Sequence, residues 1–333
     1  MEIIDVTLRE SVYCDEPISY ELGLEIIRRL SEAGIDYIEI GYLKKNYDTK
    51  SFFMNYDKDY IEKAYLLSKE KSKLAAMIHP EDFYSNNWDI ETIKKLSLVR
   101  VCVNRKNILQ MKPLVDFFHK LGVKVSFNLT HVSTFKPKEC VAILKIAIKN
   151  SADFFYIADS NGNLLPDDVE KYIKILIKNA HSRIKIGFHP HNNLGLSQIN
   201  ALIAAENGSK IIDSSMLGFG KGAGNLRTEL FPLLFFRKKI LGKFKYNIEE
   251  LFKTARYFNS NITKINSFEE QYKYSLYGSK NVGLREDQEI KKIATDNNIK
   301  DYDLALIYVN ECNCNFGKLK VTMSNRKKKK SNE

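Results

Sequence analysis

The chain contains no apolar run approaching the ~20 residues that a helix needs to cross a bilayer, so no transmembrane helix is expected. Its opening residues, MEIIDVTLRE, carry charges where a signal peptide needs an apolar stretch. Cysteine is scarce. Cys14, Cys102, Cys140, Cys312 and Cys314 are odd in number and mostly scattered, which argues against a disulfide framework and for a reducing cytoplasm. The Cys312-Asn313-Cys314 pair lacks the second pair that a cysteine metal site needs. Acidic residues are also in deficit: 41 Asp and Glu against 52 Lys and Arg leave a formal charge of +11. Lysine is nonetheless spread over nearly every predicted helix, which argues against nucleic acid as the main partner. The one dense basic block, Arg326 to Lys330, has no apolar residue and reads as part of a disordered tail, 324–333. A basic surface still favours an anionic substrate through long-range attraction.

What the chain does have is a regular alternation of short apolar runs and longer helical patterns. The runs begin at Ile3-Ile4-Asp5-Val6-Thr7, Tyr37-Ile38-Glu39-Ile40, Leu74 to Ile78 and Val99 to Val103. They continue at Val123 to Leu129, Phe154 to Ala158, Ile184 to Phe188 and Lys210 to Asp213. Between them lie amphipathic stretches such as Tyr20 to Ala33, where Leu24, Ile27 and Leu30 recur at helical spacing and Gly34 supplies the stop. Pro137 and Pro166 fall where the first turns of two helices belong. Strands buried on both faces and separated by helices imply a parallel sheet, and eight units over residues 1–242 imply a closed (β/α)₈ TIM barrel. An open doubly wound sheet is the alternative, reached by miscounting one strand. Residues 243–323 lose the alternation and read as a helical C-terminal extension, with helices over Ile248 to Phe258 and Asp287 to Asn297.

In such a barrel the chemistry sits at the C-terminal ends of the strands. The seventh strand ends Gly187-Phe188-His189-Pro190-His191-Asn192-Asn193; histidines two apart on an extended segment project to one side, as a pair of metal ligands or as two polar loop residues. The first strand ends with Arg9 and Glu10. Glu10 is either a buried carboxylate awaiting a cation or an exposed helix-start residue. A mixed oxygen and nitrogen set suits manganese, magnesium, cobalt or zinc rather than calcium. After the eighth strand comes Gly218-Phe219-Gly220-Lys221-Gly222-Ala223-Gly224-Asn225, a loop able to fold closely over a ligand. It lacks the Gly-Lys-Ser/Thr ending of a phosphate-binding P-loop. Asn225 offers an oxygen ligand and Lys221 an anion contact.

Asp-x-Thr-Leu-Arg-Glu near the start, Gly-Phe-His-Pro-His-Asn-Asn-Leu-Gly-Leu late and Gly-x-Gly-x-Gly-Ala-Gly-Asn near the end resemble the metal-dependent lyase and synthase superfamily on this barrel. That superfamily, the DRE-TIM metallolyases, includes hydroxymethylglutaryl-CoA lyase, 4-hydroxy-2-oxovalerate aldolase, isopropylmalate synthase and homocitrate synthase. The resemblance runs from about Ile3 to Phe231. Ala158-Asp159-Ser160-Asn161-Gly162 and Thr130-His131 are similar to the oxovalerate aldolase branch. The resemblance implies that Glu10, His189 and His191 hold a divalent ion, manganese first, with Asn225 as a further ligand or neighbour. It implies that Arg9 meets negative charge on the substrate oxygen, that Ser160 with its neighbour Asp159 anchors the substrate carboxylate, and that Asp5 orients Arg9 or the metal shell. His131 is either a substrate contact or a hydrogen-bonded core residue; His79 reads as structural, and His119 and His181 as surface.

Two departures bear on the reaction. The position after Arg9 is glutamate, as in homocitrate synthases, where the lyases and aldolases carry aspartate. Three residues further on, where the aldolases place a proton-transferring histidine, stands Tyr13, next to Cys14. The implied activity is an aldolase-type lyase cleaving a 4-hydroxy-2-oxo acid through a pyruvate enolate held at the metal. A Claisen-type acyltransferase joining an acyl-CoA to a 2-oxo acid is the second reading, and an inactive barrel serving as a partner subunit the third. The expected partners are a small 2-oxo acid and, through the C-terminal helices, an aldehyde dehydrogenase or a second copy of the chain.

Overall fold

The computed structural model describes residues 1–14, 18–44, 51–68, 71–83, 88–105, 107–238, 245–262 and 267–330. Each apolar run forms a strand within two residues of the expected limits: β1 Glu2–Asp5, β2 Tyr37–Tyr42, β3 Lys73–Ile78, β4 Leu98–Val103, β5 Lys124–Leu129, β6 Phe154–Asp159, β7 Lys185–Pro190 and β8 Ile211–Ser214. All neighbouring pairs are parallel, and β1 pairs with both β2 and β8, which closes the barrel and rules out the open sheet. Between the strands run α1 Tyr20–Glu32, α2 Lys58–Ser68, α3 Ile90–Ile93, α4 Lys112–Lys120, α5 Pro137–Lys149, α6 Pro166–Ala180 and α7 Ser197–Glu206. α8, Phe231–Arg237, follows β8. Gly34 ends α1 at a φ of +80°, a conformation that glycine adopts without a Cβ penalty. Pro137 and Pro166 open α5 and α6.

Because side chains alternate along a strand, every second residue enters the barrel. Ile4, Tyr37, Ala75, Leu98, Phe154, Tyr156 and Ile211 form an apolar cluster of their own that plugs the lower interior. The alternate residues, including Ile3, Ile38, Val99, Phe155, Ile186 and Ile212, pack outward against the helices in the main core. One step above the plug the inward positions turn charged: Glu39, Arg100 and Asp213, all buried. Gly187 opens the space these groups need. A Cβ there would lie 2.5 Å from the Tyr156 ring, and the Arg100 guanidinium stacks 4.5 Å from that ring's centre.

Beyond the barrel follow α9 Ile248–Asn261, α10 Phe268–Ser279, α11 Leu284–Asp296, α12 Asp301–Leu306 and α13 Phe316–Lys330. Tyr246 and, on α9, Leu251 and Phe258 belong to the barrel's own core, whereas Tyr277, Ile290, Leu304, Tyr308 and Leu319 form a separate one. The packing seam therefore falls after Asn261; the boundary expected at 242/243 lies outside the described residues. The basic tail also differs from expectation. Its backbone stays helical as far as Lys330, in keeping with the good helix propensity of lysine and arginine, and 331–333 lie outside the described residues. The C-terminal unit rests on the barrel mouth, where Ser133 Oγ donates to Asn281 Oδ1 at 2.9 Å and Asn161 Nδ2 donates to the same oxygen at 2.8 Å.

Candidate active site

At the mouth of the barrel the upper inward positions surround a cavity of about 280 Å³. Arg9, Glu10, Tyr13, Tyr42, His131, Ser160, His189, His191 and Lys221 are among its lining residues. One donor atom from each of Glu10, His189 and His191 lies within 4.8 Å of the others, and all three residues are buried. His189 and His191 stand on the same side of the β7 end, with their Nε2 atoms 3.2 Å apart. His189 Nδ1 meets Asp213 Oδ2 at 2.9 Å, and a carboxylate there fixes the proton on Nδ1, leaving the Nε2 lone pair directed at the cavity. Burial pushes His191 down to about 3, with the neighbouring Glu10 charge acting the other way, so its imidazole is neutral and ready to donate a lone pair. At Glu10 burial favours the protonated form, but the neighbouring Arg9 charge, helped by the Lys221 N–H, outweighs it and holds the carboxyl well below its ordinary range.

The glycine-rich loop completes the group. Gly220, at a φ of +147°, lies so close to it that a Cβ would stand 2.2 Å from Asn225 Nδ2 and 2.8 Å from Glu10 Oε2. Lys221 N donates to Glu10 Oε2 at 3.1 Å. Asn225 is paired through the bridge with His191, and its Nδ2 donates to Phe219 O at 3.1 Å. Its Oδ1 is buried without a hydrogen-bond partner among the described residues. A carboxylate, two imidazoles with converging ring nitrogens and an orphaned amide oxygen fit a divalent cation of the manganese, magnesium, cobalt or zinc type.

Sequence reading missed the charge network beneath this group. Arg9 contacts Glu10 Oε1 through Nη1 and donates through Nε to Glu39 Oε2 at 2.8 Å. Arg100 Nη1 donates to the same Glu39 oxygen at 2.9 Å, and Arg100 Nη2 donates to Asp213 Oδ2 at 2.5 Å. Through Asp213 and His189 the chain of contacts returns to Glu10, 3.8 Å from His189 Nε2. Charges of alternating sign thus run from Glu10 through Arg9, Glu39 and Arg100 to Asp213 and set the orientation of Arg9 and His189 together.

Two expected site residues do not belong here. Asp5 follows the inward-facing Ile4, so its side chain turns out of the barrel axis, accepting from Thr7 N at 3.0 Å and Thr228 Oγ1 at 2.6 Å. Glu39, not Asp5, orients Arg9. Asp159 follows Ala158, which lines the cavity, and so points the other way. Its carboxylate accepts from Asn163 N and Leu164 N, each at 3.1 Å, and shapes the loop after β6. Ser160 does line the cavity, and its Oγ accepts from His131 N at 2.9 Å. His131 lines it too, in a left-handed backbone conformation with φ +54°, and burial pushes its pKa down. His79, read as structural, stacks on Tyr42 at the cavity wall with ring centres 5.5 Å apart. His119 pairs with Asp153 at the surface, and His181 is exposed. Tyr13 is 41% exposed as a residue, but its hydroxyl turns inward to hydrogen-bond Tyr42. There burial pushes the phenol up to about 12.

Fold and site together describe a barrel enzyme of the metal-holding lyase and synthase type. Comparison with known families gives the same answer: residues 1–257 match the HMGL-like model, and the chain belongs to the HMGL-like family. It is 28% identical over 260 residues to an oxaloacetate decarboxylase of Mycobacterium tuberculosis, covering 76% of this chain and 75% of that protein. It is 30% identical over 234 residues to a 4-hydroxy-2-oxovalerate aldolase of Carboxydothermus hydrogenoformans, covering 69% of each. Among solved structures, the N-terminal domain of a putative aldolase from Bacteroides vulgatus matches with a TM-score of 0.74 and 25% identity, over 88% of this chain and 97% of that one. The HMG-CoA lyase of Brucella melitensis shares the fold at a TM-score of 0.64 and 15% identity, over 78% of this chain and 97% of that one. The protein is an enzyme of the oxo-acid carbon–carbon lyase type. No helix among the described residues is long and apolar enough to cross a membrane.

Proposed function

We propose that the protein is an aldolase that cleaves a 4-hydroxy-2-oxo acid to pyruvate and an aldehyde, or runs that reaction in reverse, with manganese as the resident ion. The observation that carries this reading is the convergence of Glu10, His189 and His191 on one point of a cavity that also holds the Arg9 guanidinium. The ion, when bound, supplies Lewis-acid polarisation of the substrate's carbonyl. Arg9, fixed by Glu39, presents a preorganised cation to the oxygen on which negative charge develops; a fixed donor of this kind contributes about 3–4 kcal/mol to catalysis. Tyr13 keeps its proton at neutral pH and is suited to deliver it to the carbon freed by bond cleavage. The neutral imidazole of His131 lines the same cavity and is suited to accept the proton of the 4-hydroxyl.

The name of the decarboxylase relative gives a second reaction that the same residues support, because loss of carbon dioxide from a 2-oxo diacid develops charge on the same carbonyl oxygen. The Claisen-type reading rests on Glu10 alone. The C-terminal helices cover part of the mouth through which an aldehyde would leave, which supports the expectation that they dock an aldehyde dehydrogenase or a second copy. Free cysteines among the described residues support a cytoplasmic setting.

The test is to incubate protein and Mn²⁺ with pyruvate in D₂O and follow the methyl protons by NMR. Metal-dependent loss of the methyl signal is expected. The aldolase reading fails if no 2-oxo acid exchanges while acetyl-CoA plus a 2-oxo acid releases free thiol.

A further inference from the structure

Of the three cations lining the cavity, two are fully committed. Arg9 is bound to Glu10 and Glu39, and Arg100 to Glu39 and Asp213. The third, Lys221, is half-buried, and among the described residues no carboxylate pairs with its ammonium. Its polar contact is a long one, Nζ donating to the Ser160 carbonyl oxygen at 3.5 Å. Glu10 and Asp287 act on it only from beyond ion-pair distance, and a cation partly withdrawn from water with no carboxylate in contact is costly to keep, so an entering anion would complete the arrangement. The residue is also anchored where such an anion matters. Its own N–H holds Glu10 Oε2, so its charge lies within one side-chain length of the metal group, and its tip lies beside Ser160 at the end of β6.

We infer that Lys221 is the receptor for the carboxylate of the substrate, and that the site selects 2-oxo carboxylates over uncharged ketones and esters. The inference rests on the proposed function and adds to it the group that recognises the acid. The charge count of the buried wall agrees. Glu10, Glu39 and Asp213 against Arg9 and Arg100 leave one negative charge, since three minus two is one. A divalent ion would turn this to one positive charge, and Lys221 raises it to two. A carboxylate together with the charge that develops on the adjacent carbonyl oxygen restores neutrality at the moment of reaction. The C-terminal unit contributes as well: Tyr274, Tyr277 and Asp287 line a smaller cavity that Lys221 also lines.

The test is titration calorimetry on the full chain saturated with Mn²⁺, using pyruvate and methyl pyruvate as probes. Wild type should bind pyruvate and discriminate against the ester. Lys221→Met should weaken pyruvate binding roughly ten- to hundredfold, as for loss of a charged hydrogen bond. Lys221→Arg should recover most of it, and Mn²⁺ affinity should be the same in all three. Equal pyruvate affinity in wild type and Lys221→Met overturns the inference and leaves the proposed reaction standing. Lys221-dependent binding without methyl exchange or cleavage overturns the reaction and leaves the receptor. Failure of Mn²⁺-loaded wild type to bind pyruvate overturns both.

Discussion

Asp213 does not touch the cavity's metal position, yet it should control metal affinity. Its Oδ2 accepts from both His189 Nδ1, at 2.9 Å, and Arg100 Nη2, at 2.5 Å, while Oδ1 has no hydrogen-bond partner among the described residues. This asymmetry lets two substitutions separate charge from geometry. In Asp213→Asn the amide oxygen can take the place of Oδ2 and keep both bonds, with the amide nitrogen at the unused corner; only the charge is lost. In Asp213→Ala both are lost, and His189 is free to move its proton to Nε2, where it blocks the lone pair the metal needs. Removing a group that orients a metal-binding histidine costs about 10–100-fold in metal affinity. We expect Asp213→Asn near the lower end, about tenfold or roughly 1.4 kcal/mol, and Asp213→Ala near the upper end, roughly 2.7 kcal/mol. Titration calorimetry with Mn²⁺ measures both, and thermal melting by circular dichroism confirms that each variant is folded. The reasoning is refuted if folded Asp213→Ala binds Mn²⁺ as tightly as wild type, or if the Asn variant binds more weakly than the Ala variant.

Gly220→Ala should abolish Mn²⁺ binding in calorimetry although no ligand is removed. The new methyl would lie 2.2 Å from Asn225 Nδ2 and 2.8 Å from Glu10 Oε2, at a φ of +147° that alanine resists. Unchanged affinity would show that the loop does not fix Glu10. A pH effect is expected away from the metal: burial raises Asp159 from its ordinary value of 3.8 to about 6, against the backbone hydrogen bonds that lower it. A carboxyl raised on folding contributes stability that is present below its unfolded pKa and lost as pH rises through its folded one. Wild type should therefore lose roughly 2 kcal/mol relative to Asp159→Asn between pH 4 and pH 7. Urea unfolding at both pH values checks this, and a constant difference between the two proteins would refute it.

The barrel was readable because each strand is buried on both faces and so appears as an unbroken apolar run, with a glycine or proline marking the adjoining helix end. The metal group was readable because β7 carries its two histidines in a spacing that only an extended chain turns into a pair. The errors have one origin, the neglect of which face each polar residue takes. Counting in twos from Ile4, which enters the barrel, sends Asp5 outward; counting along β6 from Tyr156 and Ala158 sends Asp159 outward as well. The same count places Glu39 after Tyr37, Arg100 after Leu98 and Asp213 after Ile211 at inward positions. Each had been read as part of an apolar run. The available signal was the presence of full charges of both signs inside strands that are otherwise apolar. Their pairing was not available, because Arg100 and Asp213 are 113 residues apart and meet only once the barrel closes.

That pairing also says why the charges are there. Desolvating several ions in a barrel interior costs more than an apolar filling of the same volume, and buried ion pairs replaced by well-packed hydrophobic residues often leave a protein as stable or more so. The lower plug shows that this barrel can be filled with Ile4, Leu98, Phe154 and Ile211. Fold stability therefore does not account for Glu39, Arg100 and Asp213 one layer higher. Their geometry does: Glu39 fixes the guanidinium of Arg9, Asp213 fixes the imidazole of His189, and Arg100 ties the two carboxylates together at 2.9 and 2.5 Å, so that neither can relax alone. The cation that meets developing charge and the histidine that holds the ion are thereby set at one spacing by a single buried guanidinium.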